Sequence, residues 1–287
     1  MGGVVEVPGG STGRRCAVLG SPIAHSLSPA LHRAAYAELG LDWTYDAVEV
    51  DTPGLEAFLR GLDASWRGLS LTMPLKRAVV PLLDRLDRWA EVSGGANTVV
   101  LEDDRLLGHN TDVPGAVAAL RERTDGPFEA AVVLGGGATA ASVLLALSEL
   151  GCRRATLLVR DPSRAVDTLA AVGRHGRGPG IEVGMLEDAF VAPDVVVSTI
   201  PAAAQGAALV ERSAKARVVF EVLYDPWPTP LAAAATASGR CLVGGLDLLV
   251  HQAALQVLLM TGQEAPLAAM RAAGEAVLAD RATGESS

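Results

Sequence analysis

The chain has 287 residues, of which 49% are hydrophobic, with 24 Lys and Arg against 33 Asp and Glu, a formal net charge of −9 and a mean hydropathy of +0.30. That length and apolar content suit one large or two ordinary domains with well-filled cores, and the acidic balance argues against nucleic acid or an anionic membrane as a partner. Cys16, Cys152 and Cys241 are scattered without any C-x-x-C spacing, so neither a disulfide framework nor a metal site is expected.

Met1 to Gly13 lacks the basic start and apolar run of a signal peptide and reads as a flexible lead-in. Arg15 to Leu19 predicts a buried strand. Ser28-Pro29 then predicts a helix start, with serine as cap, proline at the first helical position and Gly40 closing the helix. Thr52-Pro53 opens another helix with Leu55, Phe58, Leu59 and Leu62 on one face, and Gly68 to Thr72 reads as the next strand. Lys76 follows that strand inside the string GLSLTMPLK at 68–76.

Asn97 to Leu101 and Arg105 to His109 predict a hairpin turned at Asp103-Asp104, which carries Asn97 and Asp112 toward the same edge. Asp112 sits in GHNTDVPG at 108–115 and has two readings, as the cap of a helix from Val113 to about Arg123 or as a charged partner of Lys76. A lysine and an aspartate brought together in a cleft can hold and pass a proton, since each charge lowers the cost of ionising the other.

Ala130 to Leu134 reads as a strand running into GGGATA at 135–140 and then an apolar helix ending near Leu150-Gly151. A glycine turn between strand and helix lets the backbone approach a pyrophosphate, and the helix amino-terminus attracts its charge. The candidate dinucleotide contacts are Gly135, Gly136, Gly137, Ala138, Thr139 and Ala140. The next strand, Ala155 to Val159, ends in Arg160, Asp161 and Arg164 where ribose recognition is expected. Two guanidinium groups suit the 2′-phosphate of NADP, although they also fit a solvated surface turn, and Asp161 beside them is repulsive unless it turns away. Strand and helix repeat through Leu157, Val183, Val196 and Val219 in a doubly wound α/β pattern. From Gly245 the chain is helical, with Thr283 to Ser287 expected to fray. The run from Leu246 to Met260 is too short and interrupted to span a membrane.

A set of ordered strings resembles the shikimate dehydrogenase family. GSPIAHSLSP at 20–29 is similar to the family's substrate loop, whose serines, here Ser26 and Ser28, hold a substrate carboxylate. The Lys76 and Asp112 strings resemble its catalytic motifs, and GANT at 95–98 the segment supplying a substrate-binding asparagine, Asn97. STIP at 198–201, with Thr199, and EVLYDPWPTPL at 221–231, with Tyr224, look like its later cofactor and domain-junction motifs. GGLDLLVHQAA at 244–254 resembles the helix whose glutamine, here Gln252, binds a substrate hydroxyl. Three departures stand out. Ser70 replaces the usual asparagine of N-V-T-x-P-x-K, Val159-Arg160-Asp161 replaces N-R-T, and Ala138 stands where a further glycine is common.

The resemblance implies an α/β protein of two domains. A mixed substrate domain would span 14–112, a Rossmann-like NADP domain 113–245, and helices over 246–282 would return to the first. It implies reversible reduction of 3-dehydroshikimate to shikimate by NADPH, with Lys76 and Asp112 at the reacting oxygen. Ser26, Ser28, Ser70, Thr72, Asn97, Tyr224 and Gln252 would lie around the substrate, and Arg160, Arg164 and Thr199 with the cofactor. Quinate or aminoshikimate as substrate, and a catalytically idle ligand sensor, are the other readings. A cytoplasmic location and a homodimer are expected.

Overall fold

A computed structural model describes residues 13–283. The expected lead-in over 1–12 and the fraying at 284–287 lie outside the described residues. The described residues build two six-stranded sheets. The first comprises β1 (Arg15–Gly20), β2 (Thr44–Glu49), β3 (Trp66–Leu71), β4 (Arg85–Leu86), β5 (Thr98–Glu102) and β6 (Arg105–His109), in the order β2-β1-β3-β5-β6-β4. Between them run α1 (Ser28–Glu38), α2 (Thr52–Arg60), α3 (Leu75–Ala78) and α4 (Arg88–Ser93). β1 pairs in parallel with β2 and β3, while β5 is antiparallel to both β3 and β6. β1 is buried along all but its first residue, as a central strand covered on both faces must be. Leu19, Leu69, Leu71, Leu75 and Val99 fill one face with Leu55 and Leu59 of α2.

The β5–β6 hairpin turns at Asp103 and Asp104, both at positive φ as a tight turn between twisted strands requires. α2 begins at Thr52, and Asp51 is its cap, accepting the Gly54 N–H at 2.9 Å. α1 departs from expectation. The residue before it is Leu27, Ser28 is already helical, and no side chain caps the helix, so the Ser28 hydroxyl is not spent on its own backbone.

α5 (Asp112–Arg123) leads to the second sheet: β7 (Ala130–Leu134), β8 (Arg154–Val159), β9 (Gly180–Met185), β10 (Val195–Ser198), β11 (Val218–Glu221) and β12 (Cys241–Val243). It is parallel throughout, in the order β12-β11-β10-β7-β8-β9. α6 (Ala138–Glu149), α7 (Val166–His175), α8 (Ala207–Arg212) and α9 (Pro230–Ala237) connect the strands. The chain reverses its winding between β7 and β10, which opens the crevice where such sheets bind ligands. The expected alternation breaks once, because no helix lies between β9 and β10.

α10 (Gly245–Thr261) and α11 (Leu267–Thr283) return to the first sheet. Val250, Ala253 and Val257 of α10 pack with Met270 of α11 against Leu27, Leu31 and Ala35 beside α1. α10 also crosses α5 at Gly115, where a Cβ would lie 2.8 Å from Gln252 Cβ. Only glycine permits that approach, which brings Gln252 to the start of α5.

Candidate active site

Lys76 lies in the short α3 immediately after β3, and Asp112 is the first residue of α5 after β6. Their side chains meet, with Lys76 Nζ 2.6 Å from Asp112 Oδ2 and the two side chains 16% and 7% exposed. The lysine turn is tied to β5 by the Ala96 N–H, which donates to the Lys76 carbonyl. Asp112 does not cap its helix. Asn110 Oδ1 does that work, accepting the N–H groups of Asp112 and Val113 at 3.0 and 3.2 Å. The carboxylate is left free to face the lysine, and its second oxygen, Oδ1, accepts from Asn97 Nδ2 at 2.9 Å.

The Asn97 amide has only one workable orientation. Its Oδ1 accepts the backbone N–H of Thr111 at 2.8 Å, which forces Nδ2 toward Asp112, Thr111 Oγ1 and Gln252 Oε1. Gln252 is oriented in turn by the Leu249 carbonyl, to which its Nε2 donates. Asn97 just before β5, with residues of α5 and α10, thus forms one polar cluster.

The cluster forms one wall of a cavity of about 640 Å³, also lined by Ser26, Ser28, Ser70, Thr72, Lys76, Tyr224 and Gln256. Ser26 Oγ accepts the Ser28 N–H at 3.3 Å, so the two serines share one turn. Ser70 is not a free hydroxyl, because Tyr45 donates to it at 2.6 Å and it donates to Gln256 Oε1 at 2.9 Å. Glu221, at the end of β11, is a fully buried carboxylate pushed up by burial despite its bonds from Thr229, the Leu223 N–H and Gln205. A larger cleft of about 900 Å³ opens near Trp43 and Trp66, but none of the candidate site residues lines it.

Thr139 and Thr199 line the same cavity, so it runs on to the glycine turn. Gly135 has φ +102, and a Cβ there would stand 2.4 Å from Thr199 Oγ1, which itself donates to the Leu134 carbonyl. A Cβ on Gly136 would stand 2.4 Å from the Arg164 carbonyl. Gly137 faces open space and precedes the 12-residue α6, whose first turn has no side-chain cap. A cradle left empty on one side, with uncapped N–H groups, fits a dinucleotide phosphate. Arg160 and Arg164 are exposed beyond β8, outside the cavity lining, and among the described residues neither makes an ion pair. Asp161 accepts the Ser163 N–H, which holds its carboxyl below the usual range.

His25 sits at the cavity mouth with its side chain 80% exposed, 3.8 Å from Asp225. His251 points to Glu122 rather than into the cavity, as its neighbour Gln252 demands. Tyr45, Asn110, Thr111 and Gln256 were not singled out in the sequence. Gln256 was visible in principle, being one helical turn from Gln252 on an otherwise apolar stretch.

Residues 18–99 match the Shikimate dehydrogenase substrate binding domain, and 245–273 match the Shikimate 5'-dehydrogenase C-terminal domain. The shikimate dehydrogenase (NADP(+)) of Moorella thermoacetica is 37% identical over 266 residues, covering 88% of this chain and 90% of its own. The chain belongs to the shikimate dehydrogenase family. Within the family, the crystal structure of the Mycobacterium tuberculosis shikimate dehydrogenase is 39% identical, with a TM-score of 0.82 over 92% of this chain and 99% of its own. The Thermus thermophilus shikimate 5-dehydrogenase, solved in complex with NADP(H) and shikimate, is 32% identical, with a TM-score of 0.78 over 92% and 99%.

Proposed function

We propose that this protein is a shikimate dehydrogenase that reversibly reduces 3-dehydroshikimate to shikimate with NADPH, on the route to chorismate and the aromatic amino acids. One observation carries the reading. The Lys76–Asp112 pair, the serine turn and the glycine turn open onto a single cavity between the two sheets. The names of the family relatives support the same substrate and cofactor, and they do not favour quinate, aminoshikimate or an idle sensor.

In this reading Ser26 and Ser28 receive the substrate carboxylate at the start of α1. Thr72, Asn97, Asp112 and Gln252 bond ring hydroxyls, with Ser70 and Tyr224 completing the wall. Gly135 to Ala140 and Thr199 hold the dinucleotide backbone, and Arg160 and Arg164 its 2′-phosphate. The bound nicotinamide supplies or accepts the hydride. Lys76 keeps two N–H groups beyond the one given to Asp112, and these meet the negative charge that grows on the ring oxygen. Asp112 fixes the ammonium in place, and the pair exchanges its proton as a unit. A cytoplasmic location and a homodimer complete the proposal.

The test is a spectrophotometric oxidation assay crossing shikimate and quinate with NADP and NAD. Turnover confined to shikimate with NADP is expected. Preference for quinate would overturn the substrate, preference for NAD the cofactor, and no turnover with any combination the enzyme itself. Light scattering on the purified chain checks the dimer.

A further inference from the structure

Ser70 lines the cavity, is 3% exposed and has all but one of its hydrogen-bonding capacities committed. A serine hydroxyl has one proton and two lone pairs. The direction of its bonds is anchored at the Asn97 carbonyl, an acceptor whatever its surroundings. Gln256 Nε2 lies 3.2 Å from that carbonyl and 3.0 Å from Thr98 Oγ1, so the amide oxygen must face Ser70. Ser70 therefore gives its only proton to Gln256 Oε1, and Tyr45 must be the donor in the 2.6 Å contact. Tyr45 is fully buried and Gln256 is 2% exposed, so water does not compete for these bonds. Burial also raises the Tyr45 hydroxyl, with the bond to Ser70 acting against it, so the phenol keeps its proton.

We propose that the chain Tyr45 → Ser70 → Gln256 → Asn97 carbonyl makes Ser70 an acceptor-only contact, and so a specificity residue demanding a donating hydroxyl on the substrate ring. Tyr45 and Gln256 are its positioning residues. One lone pair of Ser70 remains for the cavity. A ring hydroxyl satisfies it, whereas a carbonyl or fluorine at the same ring position sets lone pair against lone pair in a dry site. The choice of a ring alcohol as ligand rests on the shikimate reading above.

The two supports act differently, which gives the test its force. Removing the Gln256 amide releases the Ser70 proton toward the cavity, so Ser70 becomes a donor. Removing the Tyr45 hydroxyl only returns a lone pair, so Ser70 stays an acceptor. The experiment measures kcat/KM for shikimate and for analogues in which each ring hydroxyl other than the reacting one is replaced by fluorine. In the wild-type enzyme one analogue is expected to lose about 10- to 100-fold, the range that an unmet buried hydrogen bond produces. In Gln256→Met that penalty shrinks to within about threefold. In Tyr45→Phe it persists. Equal penalties in wild type and Gln256→Met, or relaxation in both variants, would overturn the proposal.

A second arm needs no ligand. Ser70→Ala strands the Tyr45 proton, so Tyr45→Phe should destabilise the Ser70→Ala protein less than it destabilises the wild type in chemical denaturation. Strict additivity would overturn the chain. A wild-type enzyme that fails to oxidise unmodified shikimate would condemn the functional reading alone, because the denaturation cycle still reports on the hydrogen bonds.

Discussion

Lys76 Nζ stands 2.6 Å from one oxygen of Asp112, and the other oxygen accepts a hydrogen bond from Asn97 Nδ2 at 2.9 Å. Both oxygens of the carboxylate are held, which fixes it beside the ammonium at the cavity wall. Lys76→Ala is expected to lower kcat about 10²- to 10⁴-fold while the KM for shikimate changes little. Steady-state kinetics of the purified variant check this, and a matched loss in binding and turnover would count against a catalytic lysine.

Asn110 carries the first turn of α5 and thereby aims Asp112. Asn110→Ala should cost about 0.5–2 kcal/mol of stability, as removal of a cap does. It should also lower kcat, although Asn110 does not line the cavity. Denaturation midpoints and turnover measured on one preparation separate the two effects. A stability loss with unchanged kcat would show that Asp112 needs no such aim.

The glycine turn offers a paired comparison. Gly136→Ala forces a methyl against the Arg164 carbonyl and should destabilise the fold. Gly137→Ala meets nothing in the protein and should leave the melting temperature unchanged while weakening NADPH, because the methyl enters the phosphate cradle. Calorimetric melting and NADPH titration distinguish them, and unchanged NADPH affinity in Gly137→Ala would place the phosphates elsewhere.

Arg160→Ala should raise the KM for NADPH about tenfold and leave that for NADH unchanged, the loss of one charge-assisted contact to a phosphate. Asp161 already accepts the Ser163 N–H, so Asp161→Ala should not improve NADPH binding. Improved binding in that variant would show that the carboxylate does repel the phosphate.

His32 supplies a pH dependence. Its Nδ1 donates to the Ser28 carbonyl at 3.0 Å, while Nε2 is buried without a partner among the described residues, and burial pulls the ring from 6.5 down to about 4. Between those values the unfolded chain binds a proton that the folded chain refuses. Stability therefore falls as pH drops from 6.5 toward about 4, by at most about 3 kcal/mol. Urea denaturation across that window should show a slope that His32→Asn reduces by one proton. An unchanged slope would mean that His32 charges in the folded state.

Much of this was legible in the sequence because short strings constrain both backbone and chemistry. Lys76, Asp112 and Asn97 each lie beside a strand end, and their strings placed them before any contact was known. Ser28 and Asp112 were ambiguous because serine and aspartate both cap helices. Only the three-dimensional arrangement shows that Asn110 performs the second task. β2 carries little signal because it is an edge strand with much of its surface exposed, and β12 because three residues carry no period. Tyr45 and Gln256 could not be paired in advance, since 211 positions of chain separate them and only the return of α10 brings both to Ser70.

That return also sets an order of manufacture. A ribosome has finished Lys76, Asn97 and Asp112 long before it reaches Gln252 and Gln256, yet all five face the same space. Without α10 that space lacks one wall, and Ser70 lacks the Gln256 oxygen that accepts its proton. The cavity is complete only once α10 has been made.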